Sequence, residues 1–186
     1  ELLSSIRTLT MVINAKDRYT FGHSERTMEL SKKFAHSLNL DNKFIKELVY
    51  GSLLHDIGKI EIPREVLNKP SKLTDSEWNM FRNHPQWGAE IIRPIKSLQG
   101  ALDIILYHHE NYNGTGYPKG LKGEEIPLGA RILRIVHSFD AITTNRPYKE
   151  AMTKEQAIEE LMRFSGSHYD PVLLDKFCQM ITKIDL

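Results

Sequence analysis

Six of the eight histidines, His23, His55, His84, His108, His109 and His137, fall where a helix begins, ends or faces the expected centre. His36, in a polar stretch, and His168, near a helix junction, read as surface or capping residues. His55 is followed directly by Asp56, at the end of the apolar stretch from Leu48 to Leu54. Alone, that pair reads equally as a hydrogen-bonded helix end. His108 and His109 are adjacent, and neighbouring helical residues diverge by about 100°. Both rings reach one ion only if it sits near the helix edge. Viewed alone, they are also two partly exposed histidines. Together, the residues suggest more. Imidazole and carboxylate suit divalent iron, manganese, zinc or nickel. The only cysteine, Cys178, excludes a structural thiolate zinc site. One aspartate can bridge two ions through its two oxygens, and ions about 3.5–4 Å apart suit in-line displacement at phosphorus.

The elements that must position these groups read as helices. Leu2, Leu3, Ile6, Leu9, Val12 and Ile13 repeat with helical spacing. Further helices are expected near residues 23–39, 42–55, 85–95 and 99–109. Thr74 to Glu77 and Thr153 to Gln156 are capping boxes, each ahead of an apolar period. Pro127 suits a first helical turn, and Asp170-Pro171 is a cap followed by a first-turn proline. No run of alternating strand character is visible, so the expected class is all-α. The exception is Asn111 to Glu125, which carries Gly114, Gly116, Pro118, Gly120 and Gly123 and no hydrophobic period. A long glycine-rich loop inside a helical domain is usually functional or mobile, and its place directly after the His-His pair favours function.

Bulk properties bound the rest. With 186 residues, 40% of them hydrophobic, the chain can bury one core. A net charge of +1 implies no general polyanion-binding surface, so no DNA is expected, and an anionic substrate must be held by local charge. No apolar stretch approaches the roughly 20 residues that span a bilayer, and no signal-peptide pattern opens the chain. Cys178, in an apolar run, reads as a packing residue and fits a reducing compartment. The expected location is cytoplasmic. The chain begins at Glu1, and its opening helix reads as one that continues upstream. Residues 1–13 are therefore expected to link to a further domain, and 14–186 to form the functional one. The amphipathic start could also pair with a second copy.

At this point the motifs match a family. His55-Asp56-Ile57-Gly58-Lys59 resembles the HD motif of metal-dependent phosphohydrolases. His108-His109-Glu110 with Asn113-Gly114-Thr115-Gly116-Tyr117-Pro118 resembles the extended signature of the HD-GYP branch. Asp17 to Ser24, Ile62-Pro63, Leu67 to Pro70, His84-Pro85, Leu121 to Pro127, Ala130 to Ile132 and Arg146-Pro147-Tyr148 follow in family order. The resemblance implies a compact multi-helix domain that opens cyclic di-GMP to linear pGpG, with further cleavage to GMP left open. It implies two divalent ions, iron or manganese ahead of nickel or zinc. His23, His55 and Asp56 would hold the first ion, and Asp56 would bridge to a second held by His84, His108 and His109. Lys59 would stand beside the reacting phosphate. Arg146 and Lys149 would contact the rest of the dinucleotide, and Tyr117 would line the pocket or a partner surface.

Three positions depart from the family pattern. His137 stands where a metal-binding aspartate is usual, three residues before Asp140. Imidazole still ligates, but it adds no negative charge and cannot bridge. Asp140, one turn away, could substitute in part or support Arg146. Asn113 stands where aspartate is common, and Tyr19 where members with a third metal have glutamate. Two ions are therefore expected. Two main readings stay open: an active phosphodiesterase, and a relative that binds cyclic di-GMP or a protein partner with little turnover. Hydrolysis of another nucleotide is a third, which the glycine-rich loop argues against.

Overall fold

The computed structural model describes residues 1–17, 20, 22–146 and 149–186. Nine α-helices run through them: α1 (Leu2–Lys16), α2 (His23–Ser37), α3 (Asn42–Leu54), α4 (Arg64–Leu67), α5 (Asp75–Ile92), α6 (Leu102–Tyr107), α7 (Leu128–Thr143), α8 (Lys154–Met162) and α9 (Pro171–Lys183). Among the described residues, extended pairing is confined to isolated bridges, such as Asn113 with Lys122. The all-α expectation is met.

α3 is the central element because its second half, from Leu48 to Leu54, is buried nearly all round. Ile45 and Leu48 enter one core with Phe34, Ile132, Val136 and Phe177. Leu53 and Leu54 enter a second with Ile6, Ile13, Ile57, Ile92 and Ile105. α2 packs on both α3 and α7, and α6 packs on α3, α5 and α7. The ends of α3 and α6 thereby meet the start of α2 and the middle of α5 and α7.

The expected caps form. Thr74 accepts from the Glu77 amide at 3.2 Å, and Glu77 accepts from the Thr74 amide at 2.9 Å. Thr153 and Gln156 repeat the arrangement at the start of α8. Asp170 accepts from the amides of Val172 and Leu173 at 3.0 and 3.2 Å. Three boundaries differ from expectation: the helix expected near 99–109 is the 3-10 turn Lys96–Ala101 followed by α6. Pro127 caps α7 from outside instead of opening it. The helices expected after Thr74 and near 85–95 are one, α5, with Pro85 inside it. A proline there removes the hydrogen bond to the carbonyl four residues back. The carbonyl left free is that of Phe81, and the His84 ring takes it through Nδ1.

Candidate metal centre

The same device orients three histidines. The last four carbonyls of a helix have no partner further along it. His55 caps α3 and its Nδ1 donates to the Ser52 carbonyl at 2.6 Å. His108 caps α6 and its Nδ1 donates to the Ile105 carbonyl at 2.6 Å. His84 uses the carbonyl that Pro85 sets free. Each ring is fixed as the Nδ1–H tautomer, which turns the Nε2 lone pair inward. On the opposite side, His23 at the start of α2 has Nδ1 2.5 Å from Oδ2 of Asp140. Arg26 anchors that carboxylate, with Nε 2.7 Å from Oδ1. A carboxylate or carbonyl behind each imidazole is the outer support that metal-binding histidines need.

Among the described residues, the candidate ligands form two groups: His23, His55, Asp56 and His137, and His84, His108 and His109. Within each group the ligand atoms lie within 4.8 Å of one another. Nε2 of His55 is 3.3 Å from Nε2 of His23, and Nε2 of His84 is 3.3 Å from Nε2 of His108. His137 joins from α7, its ring centroid 4.8 Å from that of His23 and 5.2 Å from that of His55. It is also 5.5 Å from His109, so the groups adjoin.

Asp56 stands between them. Its Oδ2 is 3.3 Å from Nε2 of His55, and its Oδ1 is 3.3 Å from Nε2 of His84. The residue is 5% exposed, and neither oxygen has a hydrogen bond. An unsatisfied buried carboxylate costs several kcal/mol unless a cation pairs with it, roughly. Two nitrogens each about 2.1 Å from a shared ion would lie about 3.0–3.4 Å apart for right-angle to tetrahedral geometry. The 3.3 Å Nε2 pairs fall in that range. The donor set, the spacing, and a buried carboxylate that has an ion pair with Lys59 but no hydrogen bond fit divalent metal.

Electrostatics agree. Burial lowers the pKa of His108, His109 and His137 well below the ordinary imidazole value, and lowers those of His23 and His84 as well. These rings are neutral, as ligands must be. Burial would raise the Asp56 carboxyl, but His55 and Lys59 outweigh it and hold the group well below the carboxylate range. Lys59 Nζ is 3.4 Å from Asp56 and 3.8 Å from Asp17.

Two glycines permit the approach of the parts. A Cβ on Gly58 would lie 1.8 Å from the His84 carbonyl oxygen, so only glycine lets the 3-10 turn Ile57–Glu61 seat against α5. A Cβ on Gly116 would lie 2.3 Å from the Asn111 amide nitrogen. The glycine-rich loop is gathered around the buried carboxylate of Glu110, which accepts from the amides of Lys119, Gly120 and Leu121 at 2.7, 3.1 and 3.0 Å. This lays the Tyr117 ring on His109, with centroids 4.9 Å apart and planes 15° from parallel. Burial pushes the Tyr117 hydroxyl up to about 12. Asn113 accepts from the Thr115 amide at 3.2 Å, a turn that its amide oxygen makes without a charge.

His23, Asp56, Lys59, His84, His109, Tyr117, His137 and Arg146 line one open cleft of about 270 Å³. His55 and His108 lie just beneath it, fully buried. Lys149 is elsewhere: it lines a separate depression with Glu150 and Gln156, although its backbone pairs with Arg146. Asp140 supports His23 and Arg26, not Arg146 as was one expectation. Tyr19, with Arg18 and Phe21 of the first motif and Pro147 and Tyr148 of the last, lies outside the described residues. His36 is exposed, and His168 is half-buried with its ring stacked on Phe164. Cys178 packs beside the first core. Sequence reading missed Arg26 and Arg134. Arg134 holds the root of the loop, its Nη2 3.0 Å from the Asn111 side-chain oxygen. Neither contact has a local signature.

Comparison with known proteins matches residues 7–173 to a family described as HD domain. A cyclic di-GMP phosphodiesterase of Pseudomonas aeruginosa is 39% identical over 181 residues, covering 97% of this chain and 42% of that protein. A 3'3'-cGAMP-specific phosphodiesterase of Vibrio cholerae is 37% identical over 172 residues, covering 91% of this chain and 33% of that protein. The chain thus spans less than half the length of these two relatives. Among solved structures, a cyclic GMP-AMP-specific phosphodiesterase of V. cholerae superposes with a TM-score of 0.72 at 22% identity, covering 96% of this chain and 49% of that one. That likeness concerns the fold.

Proposed function

Because this chain belongs to the HD domain family, we propose that its histidine–aspartate cleft is a two-metal site that hydrolyses the cyclic dinucleotide cyclic di-GMP. The observation that carries the reading is the Asp56 carboxylate, buried, without a hydrogen bond, and offering one oxygen to each histidine group. His23, His55 and His137 would hold one ion and His84, His108 and His109 the other, with Asp56 between. Iron or manganese fits this nitrogen and oxygen set first, and nickel or zinc also suits it. When bound, the ions supply Lewis acidity at the phosphate and lower the pKa of a water.

The chain's own groups do the rest. Lys59 keeps a cation beside Asp56, where charge on the phosphate builds up. Tyr117 keeps its proton and donates from the loop side of the cleft. Arg146 lines the cleft and stands ready for the second phosphate, whereas Lys149 lines a separate depression. Ligand sites usually enclose about 300–1,000 Å³, so a cleft of about 270 Å³ would leave part of a dinucleotide outside. In-line displacement with the 3′ oxygen leaving gives linear pGpG. The names of the relatives support the substrate class.

Expected is hydrolysis of cyclic di-GMP by the metal-loaded chain and none by Asp56→Ala. Equal hydrolysis by both would overturn the reading. A second reading, binding with little turnover, draws on His137, whose imidazole makes its group one negative charge poorer than an aspartate would. The exposed faces of Met11 and Val12 on α1 suit pairing with a second copy, and the loop surface around Lys119 suits a protein partner. Among the described residues, no helix is long and apolar enough to cross a membrane.

A further inference from the structure

α5 carries three cleft residues at steps of three: Trp78, Phe81 and His84. Residues so spaced share one helix face. Phe81 and Trp78 lie about 4.5 and 9 Å along the axis from His84, at 1.5 Å per residue. The line therefore runs from the histidine cluster out to the cleft mouth over the span of a nucleoside. Phe81 is half-buried, whereas Trp78 is 45% exposed. Their ring centroids are 6.2 Å apart with planes 35° from parallel, and Leu67 lines the same cleft. Arg82, one turn on, places its guanidinium 5.9 Å from the Trp78 ring centre and steadies the indole. The stacked Tyr117 and His109 rings line the same cleft.

An isolated exposed apolar side chain needs no explanation. Here two adjoining aromatic rings share one cleft with Leu67, Lys59 and the proposed phosphate position. We propose that the Trp78–Phe81 face of α5 is a stacking platform for a purine base of the ligand. The proposal rests on the reading that a phosphodiester sits at the histidine cluster. Stacking on an aromatic ring tolerates any base, so this platform supplies affinity and direction and leaves the choice among purines to edge contacts.

The test uses the metal-loaded full chain with Trp87→Phe. Trp87 does not line the cleft, and its removal leaves Trp78 as the only tryptophan. Trp78 emission is titrated with cyclic di-GMP, GMP and base-free ribose 5-phosphate, and affinities are measured in parallel by calorimetry. Both purine ligands should quench Trp78 and ribose 5-phosphate should not. Trp78→Ala should weaken GMP binding about tenfold or more, ribose 5-phosphate should bind it as before, and Trp78→Phe should recover most of the loss. Purine nucleotides that bind without quenching, or bind Trp78→Ala as tightly, would overturn the platform, as would no nucleotide binding at all. If GMP quenches but cyclic di-GMP is not cleaved, the platform stands and the phosphodiesterase reading falls.

Discussion

Oδ2 of Asp140 lies 2.5 Å from Nδ1 of His23, joining the last turn of α7 to the first residue of α2. Arg26 completes the strut with Nε and Nη2 at 2.7 and 3.2 Å from the same carboxylate. The carboxyl is pulled below its usual range because His23 and Arg26 outweigh the effect of burial. Asp140 therefore acts behind His23, fixing its tautomer and aiming Nε2 at the cluster.

Replacing that carboxylate should loosen one ion and spare the other. Loss of such outer support typically costs about 10–100-fold in metal affinity. Asp140→Asn should weaken the ion at His23 by that range in a manganese titration, leaving the ion at His84 unchanged. Equal weakening of both, or of neither, would show that the strut does not act through His23.

Lys59→Ala should keep its metal and lose turnover. Removing a positive charge beside Asp56 cannot weaken cation binding by Coulomb's law, whereas losing one charge-stabilising donor typically costs about 10²–10³ in kcat. Metal content and kcat measured on the same preparation separate the two effects. An unchanged kcat would make Lys59 a partner of Asp17 and Asp56 only.

How much of this was legible from sequence depends on range. The caps at Thr74, Thr153 and Asp170 are local and read directly. The six histidines and Asp56 were visible as motif positions, and the fold gathers them. Pro85 misled because a proline within a helical pattern usually marks a boundary. The rule yields here since His84 takes up the carbonyl that Pro85 leaves. The Asp140–His23 contact spans 117 residues, so no spacing announces it. Lys149 directly follows the last motif in sequence but lines a separate depression, which no local spacing announces. Glu110 was read with its histidine neighbours, and only the fold shows it as the anchor of the loop.

Metal-free protein should lose stability as pH falls. Burial depresses the pKa of His84, His108, His109 and His137 in the folded state. The unfolded chain titrates near 6.5, roughly. Below that pH the unfolded state takes up protons that the folded state resists, which shifts the balance toward unfolding. The apo protein should melt lower at pH 5.5 than at pH 7.5. A flat profile would mean the rings protonate without leaving their places.

His137→Asp should raise first-site occupancy and turnover on cyclic di-GMP together. An aspartate adds a negative charge to a group in which Asp56 is the sole carboxylate. A native chain already as fast as the variant would show that imidazole serves equally there.

The central claim is that Asp56 joins two ions. Apo protein titrated anaerobically with manganese to saturation, with bound metal counted per chain, tests it most directly. Two ions per chain are expected for the native sequence, and neither should bind Asp56→Ala with native affinity. One ion at saturation, or two held unchanged by Asp56→Ala, would contradict the account.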